Sequence, residues 1–167
     1  MKKVIVTLVV LVSALFVSAA TSYSQGKVKA GPDPSTIRDA ELEKDSLHNL
    51  KVAQQYFKLK KAYVGSLNRC EEVIAGNPTF TKIDEILFMA GESSLFLAAN
   101  KGKQKSSLYV ITEGSAKRTL TPEEFRDLGR TYLSQLVNDY PQSKFREQAE
   151  EELKTLGGPK PKESSKQ

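Results

Sequence analysis

Two short phrases limit what this chain can fold into more than any other feature. Residues 69–78 read Arg-Cys-Glu-Glu-Val-Ile-Ala-Gly-Asn-Pro, and residues 132–141 read Tyr-Leu-Ser-Gln-Leu-Val-Asn-Asp-Tyr-Pro. Apolar side chains fall at matching places, Cys70 with Leu133, Val73 with Leu136 and Ile74 with Val137, and Pro78 coincides with Pro141. A small residue, Ser66 or Gly129, precedes each phrase where two helices must approach closely. Apolar positions three and four apart describe one face of a helix, and the proline forbids its continuation. The chain is therefore built from short helices that stop abruptly and turn back.

The pattern extends on both sides. Pro34 and Ser35 can start a first helix, with Asp39, Glu41 and Glu43 near its positive end. Leu47, Leu50, Ala53, Tyr56 and Phe57 continue it, and Asp45 is a second possible start. Tyr63, Ser66, Leu67, Cys70, Val73 and Ile74 make the second helix, and Gly76 is expected to close it in a left-handed cap. A third helix, from about Thr81 to Asn100, is apolar nearly all round, which places it between neighbours at the centre. The fourth opens with Thr121, Pro122 and Glu124, a capping box with proline in the first turn. Ser143 can cap a fifth, which carries Phe145, Ala149, Leu153 and Leu156.

Residues 101–120 break this rhythm. Lysines and serines flank Leu108, Tyr109, Val110 and Ile111, and the segment is expected to be an irregular insertion between helices three and four. It is either a mobile loop with a transient strand or a contact element for a partner strand or an anionic surface. Residues 158–167, rich in Pro, Lys and Ser, read as a disordered tail.

The first residues bear on compartment. Lys2 and Lys3 precede an apolar run from Val4 to Phe16, and Val17-Ser18-Ala19-Ala20 supplies small residues for cleavage. That layout is a secretory signal over residues 1–20, cut after Ala19 or Ala20 or later near Gln25, followed by a disordered leader over 21–34. No cysteine stands near the cleavage region, so no lipid anchor is expected, and the helical domain of residues 35–157 is expected in the periplasm. The formal charge of +5 comes from 25 basic against 20 acidic residues. The excess sits in the insertion (Lys101, Lys103, Lys105, Lys117 and Arg118 against Glu113) and in the tail. An exported chain with its basic residues placed so does not point to nucleic acid.

No catalytic constellation is present in the sequence. His48 is the single histidine, so a common zinc site has no second imidazole, and no metal or cofactor is expected. Cys70, the single cysteine, shares a stripe with Leu67, Val73 and Ile74 and reads as a small buried hydrophobe. Glu71-Glu72 and Glu150-Glu151-Glu152 read as solvated helix faces, and no glycine-rich phosphate loop follows a strand.

Ala53, Phe57, Tyr63, Ser66, Cys70, Val73 and Pro78 occupy the signature spacing of a tetratricopeptide repeat, which the chain resembles over roughly residues 45–156. Asn138-Asp139-Tyr140-Pro141-Gln142-Ser143 is similar to the closing phrase of the divergent repeats in outer-membrane assembly factors of the BamD type. The resemblance implies an all-α, right-handed solenoid of tetratricopeptide-like helical hairpins, about two and a half repeats long. It also implies a non-enzymatic adaptor that binds envelope or outer-membrane proteins. Two other readings stay open: a Tol–Pal-linked coordinator of cell division of the CpoB type, and a cell-wall or anionic-surface binder acting through residues 101–118. In such solenoids the first helix of each pair lines a concave groove. His48, Lys51, Gln55 and Lys58 on the first helix, with Glu85, Phe88, Glu92 and Leu95 on the third, are the expected groove residues.

Overall fold

The computed structural model describes residues 34–162, with side chains from Ala40 onward. The expected signal, the expected leader up to residue 33, and the tail beyond Lys162 lie outside the described residues, and Pro34, expected to close the leader, instead opens the first helix. The described chain is mostly helical, with five α-helices and a small two-stranded sheet.

Helix α1 spans Pro34–Gln54 and runs on into a π-helical turn, Gln55–Lys60. There is no restart at Asp45, which lies within one continuous helix. The chain reverses at Lys61, whose φ of 50° is left-handed, and Ala62 N–H closes the turn on Tyr56 O at 2.9 Å. Helix α2 follows as Tyr63–Gly76. Gly76 does not form the expected left-handed cap. It stays helical, and Asn77 ends the helix at φ −145° and ψ 74°. The cause is Pro78, whose ring pushes the residue before it out of the helical region.

Helix α3, Ile83–Ala98, has ten of its 16 residues buried and forms the centre of the domain. Helix α4 spans Pro122–Asp139 and α5 spans Arg146–Thr155. The α4 capping box forms in both directions: Glu124 N–H reaches Thr121 Oγ1 at 3.2 Å, and Thr121 N–H reaches the Glu124 carboxylate at 2.7 Å. Ser143 stands two positions before the cap position, which Phe145 holds, and accepts the Phe145 amide at 3.2 Å while α5 begins at Arg146.

Long-range contacts fix the direction of the helices. Glu43 accepts the Thr81 hydroxyl beside the start of α3, and Phe57, beyond α1, meets Phe96 near the end of α3 at 5.7 Å. The two helices therefore run the same way. Ser143 donates to Asp84 at 2.7 Å, and Phe145 stacks on Phe88 at 4.9 Å, so α5 runs with α3 as well. Helices α2 and α4 return in the opposite sense.

Burial of Leu67, Ile86, Leu87, Leu97, Leu133, Leu136, Leu153, Phe80 and Phe125, each below 2% exposed, joins these helices in one core. Each such side chain contributes roughly 1.5–3 kcal/mol relative to exposure. Helices α3 and α4 meet at two glycines. A Cβ on Gly129 would lie 3.1 Å from Gly91 O and 2.9 Å from Leu95 Cδ2. A Cβ on Gly91 would lie 2.6 Å from Leu133 Cδ2.

The insertion is not irregular. After a 3-10 turn, Ser106–Leu108, strands β1 (Val110–Glu113) and β2 (Ala116–Thr119) form an antiparallel hairpin, with Val110 opposite Thr119 and Glu113 opposite Ala116. Its stem is tied to the helices, with Lys103 N–H on Lys61 O at 2.8 Å and Gly65 N–H on Gln104 Oε1 at 3.0 Å. Tyr109 is buried against Phe125 and donates to Glu71 at 2.7 Å. Sequence periodicity carries no trace of these tertiary anchors, which convert the segment from loop to hairpin.

The start of the tail also departs from expectation. Instead of entering solvent, residues 158–162 fold back along α4 through a chain of polar contacts.

Candidate functional site

The eight groove residues expected from sequence separate into distinct environments. On α1 the buried stripe is Ser46, Leu50 and Ala53, while His48 and Lys51, with Gln55 and Lys58 on the π-helical turn, are exposed. Gln54 marks the side facing α3, because its amide donates to Glu85 Oε1 at 2.6 Å. At about 100° per residue, Lys51 stands roughly 60° round from Gln54, whereas His48 and Gln55 stand roughly 100–120° away on the outer side. Lys51 thus borders the strip between α1 and α3, and His48 and Gln55 do not.

On α3, Glu85, Phe88, Glu92 and Leu95 are all partly buried. Glu85 faces α1 through Gln54, and Phe88 is half covered by the stacked ring of Phe145, 15° from parallel. Leu95 packs against Gly129 on α4 and belongs to that helix contact more than to the strip. Glu92 points toward α5. Burial first, and then the nearby charge of Glu152, raise its carboxyl to about 7. The resulting surface is a band over the parallel helices α1, α3 and α5 with an aromatic floor, Phe88 and Phe145, and an acidic lining of Glu85, Glu92 and Glu152. Sequence reasoning missed Gln54, Phe145 and Glu152. The sequence places Phe145 with Ala149, Leu153 and Leu156 on the fifth helix, and only the folded chain brings it onto Phe88.

The positions that the sequence resemblance singles out are packed as follows. Ala53, Ser66, Cys70, Leu133 and Leu136 are 0% exposed, Val73 is 2% and Tyr63 is 8%. Phe57, half-buried, sits edge-on to Tyr63 at 5.3 Å, and Gly129 is buried at the α3–α4 crossing. Pro78 and Pro141 lie exposed at the two corners.

Behind Cys70 lies a polar cluster that joins three elements. Glu71 on α2 accepts the hydroxyls of Tyr109 at 2.7 Å and of Tyr132 on α4 at 2.9 Å. Burial raises the Glu71 carboxyl above its ordinary range, and the two phenol donors oppose that rise. Burial, and secondarily Glu71, push the Cys70 thiol well above the usual thiol range. A thiol so held stays protonated and is a poor nucleophile. The cluster is suited to fastening the hairpin to the helices. Glu71 is thus no solvated face.

The basic insertion keeps Lys101, Lys103, Lys105 and Lys117 exposed, but Arg118 is committed. It bonds Glu113 at 2.8 Å and Glu124 at 2.8 Å, tying the hairpin to the start of α4. Arg118, then the Thr121 amide, hold the Glu124 carboxyl down at about 2. Leu108 and Val110 stand out from the same segment at 61% and 52% exposed. Among the described residues no three His, Cys, Asp or Glu side chains converge as metal ligands.

No protein-family model matches this chain, and neither the curated proteins nor the solved structures offer a match to it.

Proposed function

We propose that this chain is an exported, non-enzymatic adaptor whose tetratricopeptide-like hairpins hold an extended segment of an envelope or outer-membrane protein during assembly. Helices α1–α2 and α3–α4 would be two repeats and α5 the first half of a third, with the β-hairpin inserted inside the second. The observation that carries this reading is the repetition of one corner in identical register. Asn77 N–H bonds Val73 O, Phe80 N–H bonds Asn77 O and Ile83 N–H bonds Phe80 O, at 2.8, 3.1 and 3.0 Å. Tyr140 N–H bonds Leu136 O, Ser143 N–H bonds Tyr140 O and Arg146 N–H bonds Ser143 O, at 2.9, 3.0 and 3.1 Å. Every residue in the second set is displaced from its counterpart by the offset that separates Pro78 from Pro141.

Parallel first helices in such an array present a continuous face, and a groove with an apolar floor and polar walls suits an extended peptide. Phe88 and Phe145 would take an apolar side chain, and Glu85, Glu92 and Glu152 would favour a basic neighbour on the ligand. The test is affinity capture from envelope extracts with the unaltered chain and a Phe88→Ala, Glu85→Ala double variant. Components of the assembly machinery or unfolded outer-membrane proteins are expected with the first and reduced about fivefold or more with the second, since each anchor side chain is worth about 1 kcal/mol or more. Recovery of neither class by the unaltered chain would sink the reading.

A further inference from the structure

The folded-back tail lies on a polar stripe of α4, apart from the band over α1, α3 and α5. Asp127, Thr131, Ser134 and Asn138 recur at helical spacing along one stripe, and together they contact nearly every polar atom of Lys160. Ser134 Oγ accepts the Lys160 N–H at 2.8 Å, and the Asn138 side-chain amide donates to Lys160 O at 3.0 Å. The Lys160 ammonium meets Asp127 at 2.7 Å and donates to Thr131 Oγ1 at 2.7 Å. Two further contacts frame this residue: Arg130 Nε donates to Gly158 O at 2.7 Å, and Lys162 pairs with Asp139 at 2.8 Å.

The sequence of the tail fits this role. Prolines 159 and 161 have no N–H, so between them the one backbone donor belongs to Lys160, and it is the one that Ser134 takes. Proline also holds such a segment extended before it docks, which lowers the ordering cost. Gly157 and Gly158 both sit at φ 86°, a conformation that side-chain-bearing residues rarely adopt, and they return the chain from α5 onto α4. Contact is through backbone and charged tips, and an open cleft of about 690 Å³ remains between the strap and Thr131, Ser134, Gln135, Asn138 and Asp139. The strap is gripped at points and not sealed into the core.

We propose that the Asp127–Asn138 stripe of α4 is a binding site for an extended segment carrying a lysine between two prolines. The chain's own residues 159–162 occupy it in cis, and a partner segment of the same chemistry displaces them. Ser134 and Asn138 read the backbone, and Asp127 and Thr131 read the ammonium.

The test uses the full chain, unaltered and as Lys160→Glu, with a labelled synthetic Gly-Gly-Pro-Lys-Pro-Lys peptide followed by fluorescence anisotropy. Lys160→Glu sets a carboxylate against Asp127 and empties the site without touching α4. In the unaltered chain the tethered strap competes at an effective concentration of order mM. The Lys160→Glu chain should therefore bind the peptide at least about tenfold more tightly. Adding Ser134→Ala and Asn138→Ala should abolish that gain while the far-UV spectrum and melting temperature stay near those of Lys160→Glu. In the unaltered chain the Lys160 amide should exchange with deuterium more slowly than in the free peptide. Equal uptake by the unaltered and Lys160→Glu chains, undiminished uptake by the triple variant, or no uptake by Lys160→Glu up to about 5 mM peptide would each overturn the proposal, as would an unprotected Lys160 amide.

Discussion

The two proline corners, Asn77–Ile83 and Tyr140–Arg146, share every backbone hydrogen bond and differ in what surrounds them. In the first, Phe80 is 1% exposed, and the buried Asn77 side chain donates to Ser46 on α1 at 3.1 Å. In the second, the position of Phe80 is taken by Ser143, a partly exposed residue that bonds Asp84 at 2.7 Å. The backbone solution is local: proline expels the preceding residue from the helix, and two successive turns start the next one. The filling is not local. The first corner is covered by α1 and needs apolar bulk, whereas the second lies at the end of the described array and needs only a polar tie.

The largest effect should separate the corners directly. Phe80→Ala is expected to cost about 3–5 kcal/mol through a core cavity, and Ser143→Ala only about 1 kcal/mol through a lost hydrogen bond. Urea unfolding of the two variants measures the difference, and equal losses would break the comparison.

A smaller contrast lies between helix waist and helix end. Gly129→Ala forces a methyl against Leu95 and Gly91 O, and should destabilise the chain by about 1–3 kcal/mol. Gly76→Ala meets nothing within 4 Å at a helical backbone position. It should instead stabilise by about 0.5–1 kcal/mol. Opposite shifts in melting temperature would sharpen the distinction between a glycine required by packing and one left at a helix end.

The smallest effect concerns the α3–α5 face. Because Glu92 is raised to about 7 in the folded chain from an ordinary 4.5, the folded state holds a proton there that the unfolded state has released. Stability should fall as pH rises through that window, by about 1 kcal/mol after allowance for solvent screening. Glu92→Gln should flatten this slope in unfolding curves taken between those pH values.

Much of the fold could be read from residues that act on their own neighbours. Thr121 and Glu124 announced the start of α4, and Pro78 and Pro141 announced where α2 and α4 stop. The stripe from Ser66 to Val73 follows the helical period, and its burial follows from that. The candidate site was less legible. Lys51, Glu85, Phe88 and Glu92 lie along the band formed by the parallel helices, but His48 and Gln55 turn outward and Leu95 packs on α4. A helical face spans many degrees, and the spacing alone does not say which edge of it meets the next helix. Gly76 misled because glycine's tolerance of a left-handed cap was weighed without the stronger demand of the proline two positions on.

By itself the sequence determined where helices begin, where they break and which stripe each one buries, because caps, prolines and periodicity act within a turn or two of chain. Tertiary structure decided the rest. The insertion became a hairpin through Glu71, which is 38 residues from Tyr109 and 61 from Tyr132, and the tail became a strap through α4 side chains more than 20 residues away. Both segments are too polar to collapse on their own. They are ordered by hydrogen-bond partners that exist at the right distance only after the helices have packed.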